Sequence, residues 1–240
     1  MAGAFAQSRA PITRVQYLAS IIVCGLAVTS GPVQSGAWTP EKGRVNLIIS
    51  SSVSQTPVAQ SAITTDLYYE RGLGRGWALV LAPSISNQDN VFARNEAQIS
   101  LRRALYENYG WAVSTQVGAY VWKEGETQAA SSGAEVRLAV GKSFGDGGWA
   151  NVEAAVRGCG GVNGLRWEGT LGHKVRTYDR VIVKVFGDSE GCAANITRVQ
   201  ASYVYGFNSR FGLELGWRET LPNDGNWNER GAVIGLWANF

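Results

Sequence analysis

The chain has 240 residues, with 22 Lys and Arg against 19 Asp and Glu, a formal charge of +3, and one histidine. Arg9 and Arg14 both lie in the first 37 residues, and without that stretch 20 basic and 19 acidic residues leave a charge of +1. That near-neutral balance removes any electrostatic case for a nucleic-acid partner, and a lone histidine without a Cys/His/Asp cluster at ligand spacing leaves no zinc site.

The opening MAGAFAQSRAPITR carries both of these arginines and no acid. The next stretch, the apolar run VQYLASIIVCGLAVTS, is too short for a comfortable membrane-spanning helix. GPVQSGA then closes on small residues. A charged start, a short apolar run and a small-residue cleavage site read as a secretory signal peptide over residues 1–37, cleaved after Ala37, with Cys24 leaving in it. An N-terminal membrane anchor is the alternative, but nothing after the apolar run favours a stop-transfer helix. Residues 38–43 read as a short extended lead into the first strand.

From residue 44 onward no segment keeps a helical apolar period. Alternation with period two recurs instead, broken by Gly, Asn, Asp and Ser clusters. Twelve strands are expected, over about 44–51, 62–71, 76–86, 94–106, 109–122, 133–144, 148–158, 164–175, 178–187, 195–206, 209–219 and 230–240. RVNLIIS and AITTDLYYE open the series with two distinct faces. NEAQISLRR sets Ala97, Ile99 and Leu101 against Glu96, Gln98, Ser100 and Arg102. GAEVRLAVG sets Val136 and Leu138 against Glu135 and Arg137, and DRVIVKVFG sets Val181, Val183 and Val185 against Arg180, Ile182, Lys184 and Phe186. SRFGLELGWRE opposes Phe211, Leu213, Leu215 and Trp217 to Arg210, Glu214 and Arg218. RGAVIGLWANF places Ile234, Leu236 and the final Phe240 on one unbroken apolar face.

Connections alternate in length. GLGRG, YENYG, GDGG, RTYD and FNS are brief and fall at one end of the strands. SSVSQTPVAQS, NQDNVFA, KEGETQAASS, DSEGCAA and LPNDGNWN are longer and polar and fall at the other end, with CGGVN the exception. An antiparallel up-and-down barrel produces this alternation, and an even strand number puts both chain ends at the short-turn end. No linker divides residues 44–240, so they form one domain.

With these features the chain resembles the bacterial outer-membrane β-barrels over residues 44–240: a signal peptide, an even number of strands of about ten residues, short turns and a terminal aromatic. The resemblance implies an all-β, antiparallel up-and-down transmembrane barrel of about twelve strands in the bacterial cell outer membrane. Its surroundings would be outer-membrane lipid, and Phe240 resembles the signal read by the barrel-assembly machinery. Tyr69, Trp77, Tyr109, Trp111, Phe144, Trp167, Tyr203, Tyr205, Phe207, Phe211, Trp217 and Phe240 share the apolar face, mostly near strand ends, as interfacial girdles do. A soluble sandwich or lipocalin-like barrel also alternates, with the apolar face turned inward instead.

With the apolar face outward, the polar face lines the lumen. It carries Arg102, Glu135, Arg137, Glu153, Arg157, Arg166, Glu168, Lys184, Arg198, Arg210, Glu214 and Arg218, with Asp66, Glu70 and Glu96 as further acids. Arg137, Lys184, Arg198 and Arg210 fall near mid-strand in this register. Expected partners are Glu135 with Arg137, Arg166 with Glu168, and Glu214 with Arg210 and Arg218. Such charges either lock a narrow lumen through pairing or line a small water-filled pore with a basic excess that favours anions.

No catalytic residue is expected. His173 falls at the short-turn end of the eighth strand on the outward face, and no serine nucleophile motif accompanies it. No cofactor is implied either. Cys159 and Cys192 lie in neighbouring loops at the external end, where an oxidising compartment makes a disulfide the expectation. Three function classes fit this chain: a narrow porin-like channel for small solutes, anionic or sugar-like; a non-transporting accessory barrel, for instance of an envelope polysaccharide system; and, more weakly, an outer-membrane lipid hydrolase.

Overall fold

The computed structural model describes residues 36–55, 61–88, 94–125, 129–145, 147–189, 195–221 and 230–240. All regular structure among them is β. The strands are β1 (Val45–Gln55), β2 (Ser61–Gly74), β3 (Trp77–Leu81), β4 (Ser84–Gln88), β5 (Arg94–Asn108), β6 (Trp111–Glu124) and β7 (Ser131–Ser143), then β8 (Gly148–Cys159), β9 (Val162–Lys174), β10 (Arg180–Asp188), β11 (Ile196–Gly206), β12 (Phe211–Thr220) and β13 (Arg230–Asn239). Every pairing is antiparallel, and β1 pairs with both β2 and β13, so the sheet closes on itself. Closure leaves no edge whose backbone groups lipid cannot satisfy.

The third expected strand, 76–86, is two. β3 and β4 are separated at Ala82–Pro83, and both lie between β2 and β5, so thirteen elements make a wall of twelve strands. Proline has no N–H to give the ladder, yet the Pro83 carbonyl still accepts from the Leu67 N–H at 2.9 Å, and the wall stays continuous. The first external loop is shorter than expected. β1 runs to Gln55, because Ser52 and Ser54 turn inward while Val53 turns outward and extends the alternation.

The two faces separate as the alternation dictates. Val117, Val136, Leu138, Val152, Val156, Leu215, Ile234 and Leu236 are exposed on the outside, while Glu70, Arg102, Glu135 and Arg157 are buried inside. A soluble barrel has the reverse arrangement, and monomeric soluble proteins rarely expose so continuous an apolar surface. Trp77, Tyr109, Trp111, Phe144, Tyr205, Phe207, Phe211 and Phe240 form an exposed ring at the short-turn end, with Trp217 nearer the other rim. This is a lipid-facing band with an aromatic girdle, the surface of an outer-membrane barrel. The short turns are therefore periplasmic and the longer loops extracellular.

Candidate functional site

The lumen has two storeys. The periplasmic one is filled by apolar side chains, although it lies on the face that is elsewhere polar. Trp38, Trp149 and Trp237 pack there with Ala37, Ala112, Ala139, Ile182 and Val204, and Ile48 leans against them. Trp149 and Trp237 come from the wall. Trp38 comes from the lead segment, which starts at the exposed rim residues 41–43 and rises into the barrel until residues 36–38 are enclosed.

Backbone and side-chain contacts hold the lead in place. The Gly43 N–H donates to the Gly72 carbonyl at 2.8 Å, and the Gly72 N–H donates to the Arg44 carbonyl at 2.9 Å. Higher up, the Ala37 N–H donates to Asn151 Oδ1 at 3.1 Å and Ser114 Oγ donates to the Gly36 carbonyl at 3.3 Å. Gly141 faces the Trp38 ring so closely that a β-carbon there would run into it, and Gly172 makes the same room for Trp149. The lead tucks into the lumen, and it forms the lower seal.

Above the seal lies a belt of paired charges. Arg102 donates to Glu70 at 2.8 Å and to Gln116 at 3.0 Å, all buried. Arg137 bridges Glu135 at 2.9 Å and Glu153 at 2.7 Å, and Arg157 reaches the second oxygen of Glu135 at 3.0 Å and also pairs with Glu96. The Arg157 guanidinium sits 3.8 Å from the centre of the Tyr120 ring. Arg166 pairs with Asp188 at 2.8 Å and Glu96 at 3.6 Å, and Lys184 pairs with Glu168 at 3.4 Å. Glu214 accepts from Gln200 at 3.0 Å and from the Trp237 indole at 2.8 Å, tying the belt to the seal. Arg218 donates to Gln200 at 2.9 Å and stacks 5.3 Å from the Phe186 ring.

Glu96 on β5 is reached by Arg157 of β8 and Arg166 of β9, so side chains converge from wall segments three and four strands apart. Above and within the belt a cavity of about 950 Å³ extends to the extracellular strand ends at Arg94, Glu124, Gly160, Asp188 and Ile196. Arg198, third in β11, lines this upper space beside Phe186 and Arg218.

Of the expected pairs, Glu135–Arg137 forms as a same-strand contact. Arg166 turns to Asp188 across the sheet instead of to Glu168, and Glu168 takes Lys184. Arg218 donates to Gln200 and pairs with Asp66 at 4.0 Å. Residues two apart on one strand stand roughly 6–7 Å from each other, whereas direct cross-strand neighbours stand about 4.5–5.5 Å apart, so Arg166 and Arg218 take the residues opposite them, and Lys184, which faces Thr170, reaches diagonally to Glu168. Arg210 is a correction. It lies in the turn before β12, where the Asn208 side chain accepts from the Arg210 and Phe211 N–H groups at 2.7 and 2.9 Å, so it sits at the periplasmic rim and not near mid-strand. Arg198 likewise lies toward the extracellular end of its strand and not near the middle.

Cys159 ends β8, and its expected partner Cys192 lies outside the described residues. Phe240 is bonded to Val45 in both directions, at 2.9 and 3.0 Å. His173 is exposed at the periplasmic end of β9 opposite Val181 and Gly148. Among the described residues no group of His, Cys, Asp or Glu is arranged to hold a metal ion. The sequence reading missed Trp38, Trp149 and the indole of Trp237 as a seal. Their signal was present: Trp149 alternates in step with Asn151 and Glu153, and Trp237 with Gly235 and Val233, so both belong to the inner face.

No family model and no curated protein sequence matches the chain. Solved structures do. An outer membrane channel from Pseudomonas putida F1 superposes with a TM-score of 0.60 at 9% identity, covering 87% of this chain and 100% of that one. The KdgM porin in complex with disordered oligogalacturonate gives 0.57 at 9% identity, over 80% and 99%. The outer membrane phospholipase A from Escherichia coli gives 0.51 at 12% identity, over 81% and 92%. At these identities the likeness is one of fold, that of outer-membrane barrels.

Proposed function

We propose that this barrel is a narrow porin-like channel for small polar solutes, sugar-like or anionic, closed at its periplasmic end by its own lead segment. The observation that carries this reading is the kind of closure. The wall leaves a cavity of about 950 Å³ above, and the tryptophan Trp38 that completes the floor belongs to a strap and not to a strand. A strap held by a few hydrogen bonds can leave without unfolding the sheet. The cavity is of the size that takes one small ligand. Its lining offers charged hydrogen-bonding groups, with Trp122 and Phe186 as faces for a sugar ring. The solute in the KdgM complex, an acidic saccharide, is chemistry that Lys184, Arg198 and Arg218 suit.

Liposome swelling tests this. Vesicles carrying the refolded protein should admit a monosaccharide and its uronate, and the uronate preference should fall in the variant with Lys184→Gln and Arg198→Gln. Vesicles that swell no faster than protein-free ones with either sugar would reject the channel. A second reading, an accessory barrel that conducts nothing, draws on the same belt: Arg102 with Glu70 and Arg157 with Glu135 are fully buried pairs, which rigidify a lumen. A hydrolase is the weakest reading, because His173, at the periplasmic end and outward, faces no nucleophile in the cavity.

A further inference from the structure

Two periplasmic turns share an unusual construction. In Arg75-Gly76-Trp77 and in Tyr109-Gly110-Trp111, the two turn residues both have positive φ: 54° and 74° in the first, 50° and 77° in the second. Two-residue hairpin turns of this kind need positive φ at both central positions, and Gly, Asn or Asp normally fills the first. Arg75 and Tyr109 are the only non-glycine residues in that region among those described. Each therefore carries backbone strain that a glycine would relieve.

The surroundings of the two turns repeat as well. Trp77 opens β3 directly opposite Arg103, whose guanidinium lies 5.2 Å from the indole centre and donates to the Arg75 carbonyl. Trp111 opens β6 directly opposite Lys142, whose ammonium lies 5.0 Å from the indole centre and donates to the Tyr109 carbonyl at 2.7 Å. In both units a strained turn carbonyl and a tryptophan face fix one cation on the outer wall. The two units lie side by side, since β3, β5, β6 and β7 are consecutive in this part of the sheet. Both tryptophans are exposed, Tyr109 is 84% exposed, and Leu105 and Tyr106 lie exposed between them. Glu107, the nearest acid in sequence, pairs with Ala112 on the opposite face of the wall.

We propose that this patch is a binding site for the headgroup of an anionic glycerophospholipid in the periplasmic leaflet. Arg103 and Lys142 keep donors beyond those their turn carbonyls use, and they stand at the level where the aromatic girdle meets the headgroups. Trp77, Trp111, Leu105 and Tyr106 receive the glycerol and upper acyl chain. The strained residues supply exposure: Arg75 adds a third cation and Tyr109 a phenol at the turn tips, where glycine would add nothing.

Native mass spectrometry of the detergent-solubilised protein with added phosphatidylglycerol or phosphatidylcholine tests the assignment. Wild type should retain phosphatidylglycerol at least several-fold better than phosphatidylcholine. The variant with Arg103→Gln and Lys142→Gln should lose that preference. Arg210→Gln, which removes a cation elsewhere on the same rim, should keep it. Arg75→Gly separates the site from a purely structural motif: it should raise or preserve thermal stability while lowering phosphatidylglycerol retention. Heat-modifiable migration confirms folding in each case. Equal retention of the two lipids by wild type, an unchanged preference in the double variant, or unchanged retention in Arg75→Gly would overturn the site.

Discussion

Glu70 shows how a single residue decides what the lumen tolerates. It is fully enclosed, it accepts from Arg102 at 2.8 Å, and Asn46 donates to its other oxygen at 3.3 Å. Removing it leaves a buried guanidinium with Gln116 as its hydrogen-bond partner and no carboxylate in direct contact among the described residues. Glu70→Ala should therefore cost about 3–5 kcal/mol, the penalty of stranding a buried charge. Glu124 also bonds an arginine, Arg94, at 3.3 Å, but at the mouth, where its side chain is 38% exposed. Glu124→Ala should cost about 0–1 kcal/mol. Urea titration of the refolded barrel monitored by tryptophan fluorescence measures both, and equal losses would mean that the belt is as wet as the mouth.

At the scale of the element, the last strand carries two duties. β13 pairs with β12 along one side and with β1 along the other, and the terminal Phe240 packs against Phe211 at 5.8 Å between ring centres. Phe240→Asp places a charge in the girdle and alters the strand that closes the sheet. It should impair assembly into the outer membrane while leaving export to the periplasm intact. Normal heat-modifiable migration and normal outer-membrane fractionation of the variant would count against that role. The external hairpins make a separate case. We propose that Cys159 at the end of β8 bridges to Cys192 in the neighbouring external loop. Non-reducing mass spectrometry of protein taken from the envelope should show the linked peptide, and two thiols alkylated without reductant would remove the bridge.

How much of this was legible depends on what period two encodes. It fixes which face each side chain takes, so Glu135, Arg137, Lys184 and Glu214 were placed inside from the sequence alone, and Ile234 and Leu236 outside. It does not fix how far one strand slides along the next. The partners of Arg166 and Arg218 depend on that slide, set here by pairings such as Arg166 with Asp188 and Gln200 with Arg218. Nor does it reach residues outside the alternation. Trp38 precedes the first strand, and its seat beside Trp149 and Trp237 exists only once the barrel has closed around it.

The whole molecule combines a barrel built for lipid with a lumen whose lower half is sealed. Its outer surface, its girdle and its closed sheet are demanded by the bilayer. The seal is not, and the proposed channel turns on it. We propose that removal of residues 1–37 leaves Trp38 as the first residue of the mature chain and takes away the Ala37 and Gly36 bonds to Asn151 and Ser114, so that the strap is a free end and can withdraw. Planar-bilayer recording of the wild-type protein beside Trp38→Ala and a deletion of residues 38–42 is the most direct measurement. The proposed mechanism predicts a small, intermittent wild-type current and a several-fold larger, steady one in both variants, each folded by heat-modifiable migration. Silence in all three proteins would contradict a channel and favour the accessory barrel, and a full wild-type current unchanged by the deletion would contradict the strap as its seal.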